Sequence, residues 1–514
     1  MALSKRAVRW TVLFVFLAGC LFIAWNVPYT QDDWGWGTPT GVERWLSGEL
    51  NNRYVGTFFV LVMTRSRLLK TLIMGGAMFL LPLLSAALAS REKEERRFPL
   101  VLLAGAALFS VPMVTWRQTF GWVSAFANFV LGGVFALTAL LLWRRAVKPS
   151  GGARRWEQIL LAAVLFPLCV AAQLFVENLT VILAGLALLG AGYALAVRRG
   201  RLPALAALAG CVLGALIMFH NPLYGQLLKE GHAVDGIRSL VFPAGAGLEE
   251  ILSIVVPRYL LQVLPGMFQY FPGVCALLAA GCVRQLLRRG APKWAVGLTG
   301  LWMAGYSLCS LILMEYQRRN LGWGRPEVWA AATVVQLVLL LAVVIWAAGP
   351  ERWPRLLLVL SAAGLLLPFA ALYDSGPRCA FLSGLALLTT ALSLLDGLAW
   401  PNWARGGACL LLAAAVGYHV YAYDYIGRND AVRLEQMARA TAEGADSVIL
   451  PTESLHYYYF WGRNPGTYLE IWGVEYRAFF GLPEDMELVF LPYGSADCWP
   501  DIPPEMLEQA QRIP

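Results

Sequence analysis

Apolar runs long enough to cross a bilayer recur about thirteen times along this chain, and that repetition limits what it can fold into. A spanning helix needs about 20 predominantly apolar residues, and in hydrocarbon only helices and closed barrels satisfy their own backbone polar groups. The runs fall near 10–25, 71–89, 98–115, 127–143, 158–175, 179–197, 203–219, 264–283, 294–314, 327–347, 355–373, 379–395 and 406–423. Apolar residues make up 58% of the 514 and charged residues only 14%, with 20 tryptophans, which no soluble globular domain of this length would need. The expected fold class is an all-α polytopic membrane protein.

Charge in the loops sets the expected orientation. Lys5, Arg6 and Arg9 precede the first run, which predicts a cytoplasmic amino terminus. The clustered cations at 91–97, 144–155, 198–201, 284–293 and 352–355 then all fall on the cytoplasmic side, and an odd number of spans leaves the carboxyl tail outside. The net charge of +8 therefore reports topology, not a nucleic-acid partner. Leu17-Ala18-Gly19-Cys20 resembles a lipoprotein cleavage box, but the apolar run continues through Trp25, against the polar continuation of a mature lipoprotein. The stretch 241–269 is interrupted by Gly, Pro and Arg258 and reads as an interfacial helix or a re-entrant segment. Nine cysteines are scattered singly and read as small core residues; the pairing of Cys379 and Cys498, in or beside outer regions, is left open. The four histidines lack metal-ligand spacing.

After Tyr423 the composition changes. Asn429 or Asp430 is expected to cap a helix ending at Gly444, followed by a strand at 447–450, a helix at 467–480 and a second strand at 487–491. The domain reading is thus a transmembrane part, 1–423, with its first outer loop at 26–70, and a small extracytoplasmic α/β tail, 424–514. The aromatic patch Tyr457-Tyr458-Tyr459-Phe460-Trp461 reads as packing against the membrane part, with a sugar platform or an interfacial belt as alternatives.

The outer side of this topology collects polar residues unusual for lipid-facing helices. It receives Asp32 and Asp33; Asn52, Arg53 and Tyr54; Arg65, Arg67 and Lys70; Arg117; Trp122 with Asn128; Glu177 with Asn178; His220 with Asn221; Glu315, Arg318 and Arg319; and Asp374 with Arg378. Outer loops are poor in cations under the positive-inside rule, so these arginines call for an anionic ligand, with snorkelling to headgroups as the alternative. Paired acids at a membrane surface suit a general base, or a helix cap. Acids and arginines together suit glycosyl transfer from a lipid-linked sugar phosphate, where a carboxylate takes the acceptor proton and guanidinium groups stabilise the departing phosphate.

Here a resemblance enters. Asp32-Asp33 in the first outer loop, Asn52-Arg53-Tyr54-Val55-Gly56, Trp122 to Phe129 at a helix start, Glu177-Asn178, Arg318 to Gly324 and the tract ending Val448-Ile449-Leu450-Pro451 make the chain resemble the integral-membrane GT-C glycosyltransferases, and within them an uncharacterised bacterial family. The resemblance covers most of the chain. It implies a GT-C-like fold in a bacterial plasma membrane, a polyprenyl-phosphate sugar donor, an extracytoplasmic glycan, lipid or protein acceptor, and a catalytic base at Asp32 or Asp33. Arg53, Arg318, Arg319 and Arg378 become donor-phosphate ligands, with Tyr54, Trp122, Asn128, Glu177 and Asn178 in support. Relatives tend to carry Pro-Gly-Asn after the seventh span where this chain reads Phe219-His220-Asn221-Pro222, so no donor contact is assigned there. No metal ligand is assigned, although a divalent cation on the acid pair stays open. The rivals are a transporter or flippase for a lipid-linked saccharide, which would place polar or broken helices near the midplane and often carry internal repeats, and a noncatalytic scaffold.

Overall fold

A computed structural model describes residues 5–48, 51–90, 94–147, 155–233, 238–318, 325–347, 352–373, 376–451, 459 and 470–491. Among them are twelve helices long and apolar enough to cross a membrane, and a thirteenth if a bent pair is counted as one span. This is the organisation of a multi-pass membrane protein. Large apolar side chains such as Phe14, Leu188, Leu216 and Leu301 lie exposed on the helices, as lipid-facing residues do.

Three departures from the expected spans have local causes. The run 98–115 is not one straight helix: Glu94–Phe109 and Met113–Thr119 meet at 95°. Pro112 stands at the corner, where it lacks an N–H to donate and disfavours helical geometry in the residue before it. The run 264–283 divides at Phe271, the residue before Pro272, into Leu248–Gln269 and Pro272–Arg288. The first of these takes in most of the stretch read as interfacial or re-entrant, yet it is long and apolar enough to cross. It tolerates Arg258 because that guanidinium donates to the carbonyls of Leu372 (2.7 Å) and Tyr373 (3.1 Å).

The third departure concerns the boundary at 423/424. Asn402–Glu443 is one continuous helix of 42 residues, about 63 Å long and so about twice the thickness of a hydrocarbon core. Neither Asn429 nor Asp430 begins a helix. Alanine, arginine, leucine and glutamate carry the backbone on until Gly444 ends it in the left-handed region at φ 63°. Gly427 is required inside that helix by the first one, since a Cβ there would lie 2.0 Å from the Asn26 Oδ1. Beyond it, Ser447–Pro451 and Glu487–Leu491 pair as parallel strands in register Ser447 to Glu487, and Glu470–Phe480 is helical. Tyr459 packs on the long helix, accepting from the Tyr423 hydroxyl (2.6 Å) and donating to that of Tyr418 (2.7 Å); the rest of the aromatic patch and Cys498 lie outside the described residues.

The helix Phe381–Leu395 forms the centre, with 89% of the span Pro377–Leu395 inside protein. Its last carbonyls are orphaned by helix geometry and cannot reach water, so neighbouring helices supply donors. Arg355 donates to the Ser393 Oγ (2.8 Å) and carbonyl (2.6 Å), while Arg284 and Gln285 both donate to the Leu394 carbonyl at 2.6 Å. Replacement of Arg355 by Met leaves the Ser393 carbonyl without this donor. The expected loss is about 1–3 kcal/mol, read as a lowered melting temperature of the detergent-solubilised protein, whereas Met at the exposed Arg201 leaves it in place.

Candidate functional site

Asp32 and Asp33 open the short helix Asp32–Gly37, and one step along it gives them opposite surroundings. The Asp33 carboxylate is fully buried. Its Oδ1 accepts from the Ser124 backbone N–H (2.9 Å) and hydroxyl (2.5 Å), and its Oδ2 accepts from the Thr30 N–H (3.0 Å). Asp32 reaches water, yet protein rings it closely enough that burial pushes its carboxyl above the ordinary range. Arg378 opposes that rise and Glu475 adds to it. Of the two acids, Asp32 is the one open to solvent.

The loop that presents the pair is held from several sides. Gln31, just before it, is buried and lies at φ 48°, ψ −114°, a conformation that side chains other than glycine rarely adopt. Tyr29 donates to the Met63 carbonyl (2.9 Å), and Trp34 donates through Nε1 to the Tyr29 carbonyl (2.9 Å). Lys70 is buried; its ammonium donates to the Val27 carbonyl and stands 4.4 Å from the centre of the Tyr29 ring. Arg65 clamps the other end, donating to the carbonyls of Trp36 (2.9 Å) and Thr38 (2.7 Å).

Around Asp32 the structure gathers residues distant in sequence. Arg378 lies over the Trp122 ring at 5.3 Å from its centroid. Trp122 precedes Val123–Ala125 and a π-helical turn, Phe126–Leu131, a geometry frequent at functional sites. Asn128, on that turn, donates to the Ser124 carbonyl (2.8 Å) and presses its Oδ1 against Gly56, where a Cβ would stand 2.3 Å away. The Asn128 Oδ1 itself is buried with no hydrogen-bond partner among the described residues.

Gly56 joins this cluster to a second. Arg53 forks onto Glu177, with Nη2 at 2.7 Å from Oε2 and Nε at 3.1 and 3.2 Å from the two carboxylate oxygens. Tyr224 donates to the same carboxylate at 2.9 Å. This arginine is therefore already paired with a carboxylate before any ligand arrives. Asn52 donates to the Ile217 carbonyl (2.7 Å) and accepts from Asn221 (2.9 Å), so the tract at 219–222 serves as a brace. The Tyr54 hydroxyl lies beside Gly48, and the Asn178 amide donates to the Leu365 carbonyl (2.9 Å), away from the acids. The Arg318 backbone ends its helix but its side chain lies outside the described residues, as do Arg319 and Asp374.

Two charged groups escaped the sequence reading. Arg44, on Pro39–Ser47, donates to Glu475 on Glu470–Phe480 at 2.9 Å, and Glu475 is one of the charges acting on Asp32. The only sequence hint was glycine at 35 and 37 beside two tryptophans, positions without a side chain that leave room for a neighbouring element. Among the described residues no group of three or more His, Cys, Asp or Glu side chains comes together as metal ligands. Comparison with protein-family models, curated proteins and solved structures finds no match to the chain.

Burial dominates the Asp33 carboxyl and raises it to about 7 despite its three hydrogen bonds. The folded state then binds this proton more tightly than the unfolded chain, whose carboxyl titrates near ~4. Its contribution to stability is complete below about pH 4 and is lost as pH rises towards about 7. Thermal unfolding at pH 4.5 and 7.5 is therefore expected to show a smaller difference for Asp33→Asn than for the native protein.

Proposed function

We propose that the protein is a glycosyltransferase that moves a sugar from a polyprenyl-phosphate donor to a glycan, lipid or protein acceptor at the extracytoplasmic face of a bacterial plasma membrane, with Asp32 as the general base. The observation that carries this reading is the division of labour in the acid pair. Asp33 is buried and holds three donors, whereas Asp32 is exposed, with Arg378 one of the charges acting on it. In the reaction the acceptor hydroxyl gives its proton to an Asp32 oxygen while its own oxygen bonds to the anomeric carbon. The bond from that carbon to the phosphate oxygen breaks, and its electron pair stays on the lipid phosphate. Arg378 supplies positive charge where that anion develops, and the Trp122 face beneath it limits the directions the guanidinium can point.

Arg53 has a different part. Its fork is filled by Glu177, so it shapes the neighbouring wall and adds little net charge for phosphate. Arg318 and Arg319 stay in the proposal as phosphate ligands on the strength of their sequence tract. An inverting outcome is proposed by analogy with the resembled enzymes, and membrane lipids surround the remaining helices.

The test is mass analysis of surface glycans and lipid-linked intermediates in a strain lacking the protein, with variants restored one at a time. The native chain restores a missing sugar branch, Asp32→Asn lowers transfer about 10²- to 10⁴-fold, and accumulation of inward-facing carrier with intact branches would contradict the reading. In proteoliposomes the rate should rise with pH along a limb above the ordinary carboxylate range, because Asp32 must be ionised to act. Arg378 holds that carboxyl down, so Arg378→Gln is expected to move the limb to higher pH and to raise the donor concentration required.

A further inference from the structure

We infer that Glu475, held by Arg44 against the Gly35 face of the first-loop helix, is a positioning residue for the Asp32 site, so that the carboxyl-terminal helix is part of that site. Residues 32 and 35 lie three apart on one helix and therefore share a face, while Asp33 turns away to Ser124. Gly35 is what admits the second carboxylate. A Cβ at that position would stand 2.6 Å from the Glu475 Oε1 and 2.7 Å from Oε2. Gly37 does the same for Phe479, whose ring would be 2.1 Å from a Cβ there. The Glu475 side chain is 15% exposed and its partner Arg44 29% exposed, so the pair is sheltered enough to be screened less than a surface pair.

The docking is apolar as well as ionic. Trp34 is completely buried, meets Tyr476 edge-on at 5.0 Å, and joins Met437, Val448, Leu450, Leu482 and Met486 in one cluster. A residue of the first loop is thus a core residue of the tail, and the two cannot move independently without exposing that tryptophan. Placing Glu475 places a negative charge beside Asp32. The charges acting on Asp32 are then Glu475, which Arg44 pairs, and Arg378 from the turn Pro377–Ala380, with Asp33 as its neighbour on the helix, while Arg65 is engaged with the carbonyls of Trp36 and Thr38 at that helix's far end. Glu475 raises the proton affinity of Asp32, whose burial already raises it, and Arg378 works against both.

The catalytic consequence rests on the reading proposed above, but the positioning itself does not, and the experiment separates them. Full-length protein in detergent is treated with dicyclohexylcarbodiimide across a pH series, and the acylurea formed on a protonated carboxyl is located by mass spectrometry of the peptide containing Asp32. In the native chain the label is expected on Asp32, falling with pH along a curve above the ordinary carboxylate range. Glu475→Gln keeps an acceptor for Arg44 and removes the charge; it should lower the half-labelling pH, read as a loss of label on the falling limb. Gly35→Ala, whose methyl takes the place of the Glu475 carboxyl, should move it the same way. A half-labelling pH unchanged in both variants, each eluting as the native protein does on size exclusion, overturns the inference. A shift without any effect of Asp32→Asn on the surface glycans leaves the positioning intact and removes the transferase reading; an Asp32-dependent sugar branch without the shift does the reverse.

Discussion

Three hydrogen bonds onto one buried carboxylate decide how this protein presents its first loop. Asp33 accepts from Thr30 within the loop and twice from Ser124 at the start of a distant helix, and so ties the loop to the bundle by a fully buried side chain. Buried carboxylates are tolerated only when their lone pairs are filled in this way. With Asp33 fixed, helix geometry turns Asp32 about 100° away from it, towards solvent. The strained backbone at Gln31 is held in place by these contacts, together with those of Tyr29, Lys70 and Arg65 on either side.

The same loop is also where membrane part and tail become one object. The helix Asn402–Glu443 leaves the bundle without a break, and the strands and helix that follow pack around Trp34. A rigid connection of this kind transmits position. It brings Glu475 to the first loop across some 440 residues of sequence, and the absence of a Cβ at Gly35 leaves the carboxylate a seat.

Much of the architecture was legible because spanning helices advertise themselves by length and hydropathy. The runs at 71–89, 203–219 and 379–395 correspond to Arg67–Ala89, Arg201–Phe219 and Pro377–Leu395. The errors came where a proline set geometry that hydropathy does not register, at Pro112 and Pro272, and at 423/424, where composition shifts while the backbone continues. The tail strands were readable as short apolar runs with β-branched Val448, Ile449 and Val489, but their parallel pairing is specified by no local signal. At the site, the tract Asn52 to Gly56 was legible as a unit, but its roles were not: Asn52 is a brace, Arg53 an ion-pair partner and Gly56 a seat for Asn128. Which aspartate faces water, and that Arg44 and Glu475 stand beside it, depend on contacts between elements far apart in sequence, which a single chain read in order does not encode.

The central claim is that adjacent acids occupy opposite environments, and a cryo-electron microscopy reconstruction in lipid nanodiscs tests it most directly. The account predicts Asp33 within hydrogen-bond reach of the Ser124 N–H and hydroxyl, with Asp32 open to water beside Arg378 and Glu475. Density that seats Asp32 on Ser124, or that leaves both carboxylates on an open surface remote from Arg378, would contradict it.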